Sequence, residues 1–151
     1  MPKPRLSEAT VQAAVRQRAA VLGIRLERNN VGVCVDSTGR MIRYGLGNDS
    51  AQINRRLKSA DLIGVLPHYS YPGRVAEQSI GRFLAVECKR EGWKFPKEWE
   101  DKTPDQIDED ALGADKLRTL AQWRWQHLIR QAGGIAGFVT SVDEFERLIG
   151  V

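Results

Sequence analysis

The sequence predicts a single α/β domain in which a mixed β-sheet is flanked by helices. Three observations predict this class. The 151 residues suit one domain that is large enough to bury a core. Helical and strand patterns follow one another in the order α-β-β-β-β-β-α-β-α. A clear helix separates the last two strands, and such a crossover places the strands it joins parallel in one sheet.

The first half of the chain predicts one helix followed by short strands. Ser7 is a suitable N-cap for a helix that ends before Gly23. Three strand patterns follow, and we expect them to pair in chain order as a meander: 24–28, 31–35 and 40–44. Residues 45–58 are polar and basic, which predicts a loop or a short helix.

The second half predicts two strands, a long connection and a helix–strand–helix unit. Short apolar runs predict strands at 60–66, 82–89 and 135–140, with residues 67–81 as a loop. Helices are expected over 116–132, where two glycines stop the pattern, and from Ser141 onward. The connection 91–115 is acidic and long, and such a segment is rarely structureless in a domain unless it is functional or disordered.

The charge is distributed unevenly. The net charge is +4, but residues 1–60 carry 11 basic and 4 acidic side chains, whereas residues 91–115 carry 3 and 9. Without the acidic stretch the remainder is +10, and a basic body attracts polyanions such as nucleic acids. An ordinary solvated surface with scattered charge is the alternative, and charge alone does not decide between them.

Composition argues against several classes of protein. The hydrophobic fraction of 42% and charged fraction of 28% are those of a globular chain and not of a disordered one. We find no apolar run near the ~20 residues of a membrane span, and no apolar core of a secretory signal, so we expect no membrane partner and a cytoplasmic location. Two cysteines cannot form a disulfide framework or a four-ligand zinc site.

Two acids and a lysine interrupt otherwise apolar strand patterns. Glu87 and Lys89 share one face of their strand, whereas Cys88 points to the other. Asp61 lies within the apolar run 60–66, although aspartate is depleted in strands and costly to bury unpaired. Carboxylate oxygens are ligands that Mg²⁺ prefers, and a nearby lysine can orient or deprotonate water or stabilise transition-state charge. The alternative is a structural ion-pair cluster where the strand emerges into water.

A third acid lies on the first helix. Glu8 is on the same helical face as Val11 and Val15, which would aim it toward the core. An acid in that direction is unusual. The simpler interpretation is that Glu8 only stabilises the positive N-terminal end of the helix.

The ordered combination of motifs resembles the VRR-NUC family of the PD-(D/E)xK nuclease superfamily, in particular its small stand-alone, phage-type members. The resemblance covers roughly residues 7–142 and rests on Glu8, the turn 28–32 (Arg-Asn-Asn-Val-Gly), Asp61, the strand 81–89 (Gly-Arg-Phe-Leu-Ala-Val-Glu-Cys-Lys), and Gln122 ahead of Gly133-Gly134. Two departures are visible. Ala60 stands where the superfamily name has proline, and the stretch 91–115 is longer than the link expected there.

The resemblance implies a restriction-endonuclease-like fold and a set of roles. Asp61, Glu87 and the backbone carbonyl of Cys88 would ligate one or two Mg²⁺ ions, for which Mn²⁺ would substitute. Glu8 would act on the metal directly or through water. Lys89 would serve the nucleophile. Gln122 would orient Lys89 or a water molecule, and Gln126 is its competitor for that role.

The resemblance implies a metal-dependent DNA endonuclease, which would nick or cleave internally and could prefer branched or junction DNA. Cutting two strands calls for two active sites, so a homodimer is expected. A non-catalytic DNA-binding module is the alternative, and RNA as the substrate stays open. Seven basic side chains are predicted to lie near phosphates: Arg16, Arg18, Arg28, Arg43, Arg55, Arg56 and Lys58.

Three further expectations concern less specific features. Trp123 and Trp125 could stack on bases, with Trp125 in the core and Trp123 at a surface or an interface. Cys34 and Cys88 are expected to be small core residues. The acidic stretch 91–115 is hypothesised to lie beside the active site as a lid or dimer element that repels misplaced strands.

Overall fold

A computed structural model describes residues 4–68 and 80–151 of the chain. Its helices are α1 (Glu8–Val21), α2 (Ala51–Arg56), α3 (Ala114–Gln131) and α4 (Val142–Ile149). Its strands are β1 (Leu26–Arg28), β2 (Gly32–Val35), β3 (Met41–Tyr44), β4 (Leu62–His68), β5 (Ile80–Cys88) and β6 (Ile135–Val139). The predicted mixed α/β class is confirmed.

The main sheet is mixed, as the helical crossover predicts. Within the described residues its strand order is β1-β4-β5-β6. β5 runs antiparallel to β4 and parallel to β6, and α3 makes the crossover between β5 and β6. The loop expected at 67–81 is shorter at both ends, because β4 extends to His68 and β5 begins at Ile80. Residues 69–79 of that expectation lie outside the described residues.

The predicted meander is wrong. β1 pairs with β4 in the main sheet, whereas β2 and β3 form a separate two-stranded hairpin. The two sheets separate at Asn29, which follows β1. Its side chain forms hydrogen bonds with the segment just before β4. Because the hairpin is separate from the main sheet, Cys34 is exposed and not a core residue as expected.

The two faces of the main sheet carry different layers. Leu84, Val86 and Cys88 of β5 face a core that α1 and α4 complete. The alternate residue Ala85 faces α3, together with Ala136 of β6, and these small side chains let the helix approach closely. Glu87 shares the side of Ala85, since successive strand residues alternate. The alternation therefore aims Glu87 at α3. No helix in the described ranges is long and apolar enough to cross a membrane.

The acidic stretch is a packed part of the fold. It contains three 3-10 turns, Lys97–Trp99, Pro104–Gln106 and Glu109–Ala111. Trp99 is 2% exposed and stacks on Trp123 of α3 with ring centroids 5.7 Å apart. Trp123 is therefore buried, and its expected surface position is wrong, because this segment covers that side of α3. The segment is anchored by these rings and is no detached flap.

Candidate active site

The β4–β5 ladder brings the two predicted strand acids to one end of the sheet. Because the strands are antiparallel, with Leu62 opposite Val86, the residue before β4 lies beside the last residues of β5. The Asp61 carboxylate Oδ2 accepts a hydrogen bond of 3.0 Å from the backbone N–H of Cys88. The apolar run 60–66 suggested that Asp61 lies inside a strand. It lies instead one residue before β4, beside the end of β5.

Glu87, Lys89 and Gln122 form a buried hydrogen-bonded network. The Lys89 Nζ donates to Glu87 Oε1 at 3.0 Å and to Gln122 Oε1 at 2.9 Å. The Gln122 amide nitrogen also donates to Glu87 Oε1. Glu87 is 1% exposed, Gln122 3% and Lys89 8%. The network exists because the strand alternation aims Glu87 and Lys89 at the buried face of α3.

The second carboxylate oxygen of Glu87 is left without a partner. Glu87 Oε2 is buried and has no hydrogen-bond partner among the described residues. Burial and the neighbouring Asp61 raise the pKa of Glu87 to about 7, although Lys89 acts against this rise. Burial also raises the pKa of Asp61. A buried carboxylate oxygen of this kind calls for a proton or a cation, so the donor set fits a hard divalent ion.

Glu8 lies near these groups but outside the core. It is exposed in the first turn of α1, so the expected inward direction is wrong. Its negative charge nevertheless contributes to raising the pKa of both Asp61 and Glu87. In residues 4–68 and 80–151 no three His, Cys, Asp or Glu side chains form a group that could hold a metal ion. Asp61 and Glu87 line one cavity, so an ion held there would have two carboxylates beside it.

Asn29 fixes the segment that carries Asp61. Its amide nitrogen donates to Ser59 Oγ at 2.8 Å and to the Ala60 carbonyl at 2.9 Å. Its backbone N–H donates to the Asp61 carbonyl at 2.8 Å, and its side-chain oxygen accepts from the Leu46 N–H at 3.2 Å. Asn29, in the turn singled out in the sequence, thus fixes residues 59–61 with three hydrogen bonds, one of them to the Asp61 carbonyl.

A basic cleft opens onto the two acids. A cavity of about 210 Å³ is lined by Asp61, Glu87 and Gln122 together with Lys58 and Arg118. Burial and the charge of Arg118 lower the pKa of Lys58. This cleft could hold a phosphate, since two cations stand beside two acids that could share a divalent ion with it.

A second cavity extends the cleft along the hairpin. It has a volume of about 420 Å³ and is lined by Arg28, Tyr44 and Asp61. Sequence reasoning named Arg28 and Lys58 but missed Arg118. The signal was present, because Arg118 precedes Gln122 by one helical turn and so shares its face of α3.

The other predicted basic residues do not line the two cavities beside the acids. Arg18 pairs with Glu146 of α4 at 2.5 Å, and Arg43 donates to Asn48 Oδ1 at 3.3 Å. Arg56 lines a separate cavity between α2 and α3. Two more are exposed on helices: Arg16 on α1 and Arg55 on α2.

Of the two candidate glutamines, Gln122 contacts Glu87 and Lys89. Gln126 is buried one turn further along α3, and its amide has no hydrogen-bond partner among the described residues.

Comparisons with protein-family models, with curated proteins and with solved structures find no match to this chain.

Proposed function

We propose that the protein is a Mg²⁺-dependent DNA endonuclease that hydrolyses phosphodiester bonds in the basic cleft. The observation that carries the proposal is the unpartnered, buried Glu87 Oε2 beside Asp61 and Lys89. The site combines two carboxylates whose negative charge favours a bound cation, a buried lysine and a cationic rim. This combination suits an anionic ester that binds together with a divalent cation. DNA as the ester is supported by Lys58, Arg118 and Arg28 around the acids.

Each residue of the site has a separate role in this proposal. Asp61 and Glu87 would hold the divalent ion, the Cys88 carbonyl is a predicted third ligand, and Glu8 would act through water. When bound, the ion supplies positive charge that neutralises the phosphate and stabilises charge developing in the transition state. The Cys88 N–H and the Asn29 contacts keep Asp61 in a fixed position.

Lys89 lies where it can donate a hydrogen bond to the reacting groups. Two of the three ammonium N–H groups are used by Glu87 and Gln122, which leaves one for the attacking water or a phosphate oxygen. In hydrolysis a water oxygen forms a bond to phosphorus and releases one proton to solvent, the P–O ester bond breaks, and the leaving oxygen takes up one proton, so the protons balance. Gln122 contributes by positioning Lys89 and Glu87 relative to each other.

One observation favours the alternative, a non-catalytic DNA-binding module. Glu87, Lys89 and Gln122 already satisfy much of one another's hydrogen bonding, as a structural ion-pair cluster would. Such a cluster predicts DNA binding that persists in EDTA, with no cleavage under any divalent ion.

The test uses nicking of supercoiled plasmid and cleavage of linear, nicked, flapped and four-way-junction DNA with Mg²⁺. Glu87→Gln and Lys89→Ala should abolish product formation, whereas the exposed Glu98→Gln should retain it. Undiminished cleavage by both site variants would refute the proposal. Titration of the protein with Mn²⁺ should show binding that Glu87→Gln loses. Light scattering with and without DNA tests the homodimer that two-strand cleavage requires.

A further inference from the structure

A second concave surface lies at the β6 edge of the main sheet, next to the candidate active site but separate from it. It is a groove of about 830 Å³ between α3, β6, α4 and the acidic segment. We call it the aromatic groove, and the residues that define it are Trp93, Phe95, Trp123, Gln126, Phe138 and Arg147.

Gln126 is the unusual member of this groove. It is 1% exposed, yet neither its amide oxygen nor its amide nitrogen has a hydrogen-bond partner among the described residues. A buried amide without partners lowers the stability of a fold, whereas an apolar side chain of similar shape would pack without that loss. The amide therefore has an unused donor group and an unused acceptor beside the groove.

The walls of the groove are aromatic rings that pack on one another. The ring centroids of Trp93 and Phe138 lie 5.0 Å apart with the planes tilted by 41°, and those of Phe95 and Trp123 lie 5.1 Å apart at 75°, so a base would stack on an outer ring face and not between two rings. Trp93, Phe95 and Phe138 are half-buried, so part of each ring remains open to a ligand. Nucleobases stack on such rings whatever their sequence, because every base has a π face.

The rim of the groove carries more positive than negative charge. Lys94, Lys97 and Arg147 line it, and none of the three forms an ion pair with another residue in the described part of the chain. Two acids, Glu100 and Glu144, also line the groove. Glu144 accepts hydrogen bonds from the backbone N–H and the hydroxyl of Thr140. The rim therefore complements the phosphates of a nucleotide strand.

The groove adjoins the candidate active site through Lys89. The Lys89 Nζ lies 5.8 Å from the ring centroids of both Trp93 and Phe138. Gln126 follows Gln122 by one turn of α3. A strand with a phosphate at Asp61 and Glu87 could therefore place a neighbouring base in the groove.

We propose that the aromatic groove binds one unstacked nucleobase of the DNA strand, with stacking on the rings and pairing to the Gln126 amide. The inference rests on the proposed nuclease function and adds a preference for unpaired bases near the cleaved bond. Adenine is the base that a glutamine amide pairs with through two hydrogen bonds, so an unpaired adenine is the expected occupant.

The experiment measures DNA binding by fluorescence anisotropy in EDTA, where no cleavage occurs. One duplex carries a single unpaired adenine, and the matched duplex has an abasic residue at that position. The wild type should bind the adenine duplex about tenfold more tightly, the scale of one stacked base. Gln126→Leu should lose most of this preference without a lower Tm. Gln131→Leu, at the end of the same helix, should keep the preference.

Equal binding of the two duplexes by the wild type overturns the proposal, and so does an unchanged preference in Gln126→Leu. The preference would stay unchanged in Gln126→Leu if the amide binds only a water molecule or makes only a structural contact. Adenosine monophosphate is a further probe, read by quenching of tryptophan fluorescence. If it binds in a Gln126-dependent way while the adenine duplex has no advantage, the groove takes a free nucleotide and the proposal is overturned. If the wild type prefers the adenine duplex but cleaves no DNA, the nuclease proposal is refuted and the proposed base site is not.

Discussion

Lys89 and Gln122 are joined by a buried hydrogen bond of 2.9 Å between Nζ and Oε1, although 33 positions separate them in sequence. The bond links the end of β5 to the middle of α3. It holds the lysine ammonium beside Glu87, where the amide of Gln122 also bonds the carboxylate. The helix therefore controls the geometry of the predicted reactive groups, even though the acids lie on the strands.

The first prediction concerns that positioning. Gln122→Leu removes an acceptor from Lys89 and a donor from Glu87 while keeping an apolar contact of similar size. The single-turnover cleavage rate should fall at least about tenfold, because positioning of a proton-transfer group contributes at this scale or more. DNA affinity should change little, since Lys58 and Arg118 remain. Gln131→Leu is the matched control, and an unaltered rate in Gln122→Leu would contradict the role of Gln122.

The second prediction concerns stability against pH in the absence of divalent ions. The folded protein raises the pKa of Glu87 from 4.5 to about 7, so the folded state holds this proton more tightly than the unfolded state. The free energy of unfolding should therefore fall as the pH rises from about 4.5 to 7, by up to about 3 kcal/mol. Above that range the contribution of Glu87 should stay constant.

Urea denaturation in EDTA at pH 5 and pH 8 measures this effect. Glu87→Gln carries no titrating group at this position, so its stability should depend less on pH than that of the wild type. Added Mg²⁺ should restore stability to the wild type at pH 8 and not to the variant, since a cation that binds the folded state stabilises it. The same pH dependence in both proteins would show that Glu87 does not titrate in this range.

The third prediction concerns Asn29. Asn29→Ala removes the hydrogen bonds to Ser59 and Ala60 that fix the residue ahead of β4. The free energy of unfolding should fall by about 1–3 kcal/mol, and cleavage should fall as well because Asp61 is no longer held. Chemical denaturation and cleavage assays measure the two effects. Gln17→Ala, at an exposed position of α1, should leave both unchanged, and equal behaviour of the two variants would contradict the prediction.

Local patterns in the sequence predicted the helices and the central strands because those patterns report burial of one face. Alternation at Glu87 and Lys89 placed both on one side of β5, and the crossover placed β6 parallel to it. The pairing of β1 was not predictable in this way. It depends on Asn29 contacting residues about 30 positions away, and such contacts leave no local period.

The site was predictable in its residues and less so in its geometry. Asp61, Glu87 and Lys89 were conspicuous as charges in apolar runs. Trp123 was misassigned because its cover comes from the segment around Trp99, which has no periodic pattern and folds as 3-10 turns. Glu8 was expected to face the core and is exposed, because a helical face defines a direction only approximately in the first turn.

The fourth prediction concerns Arg118, the cation that the sequence reasoning missed. Arg118→Ala should weaken DNA binding uniformly across sequences and reduce the slope of log K against log salt by about 1, as expected for one phosphate contact. Lys58→Ala should act similarly. Affinity measured over a series of salt concentrations tests this. Arg40→Ala, in the turn of the hairpin, is the control, and an unchanged slope in Arg118→Ala would place this residue outside the DNA path.

The fifth prediction separates the charge of the acidic segment from its packing. Deleting residues 92–113 would remove Trp99 and expose Trp123, so it would damage the core. Truncating Trp99 to alanine alone should lower stability by about 3–5 kcal/mol. Replacing the exposed acids Asp101 and Asp105 with asparagine leaves the packing intact and removes only charge.

If the segment repels misplaced strands, this double asparagine variant should bind DNA more tightly at low salt and discriminate less among branched and linear substrates. Its Tm should match that of the wild type. Cleavage across the same substrate panel measures the discrimination. An unchanged profile, with unchanged affinity, would show that the segment serves the fold through Trp99 and Trp123 and that its charge plays no part in substrate choice.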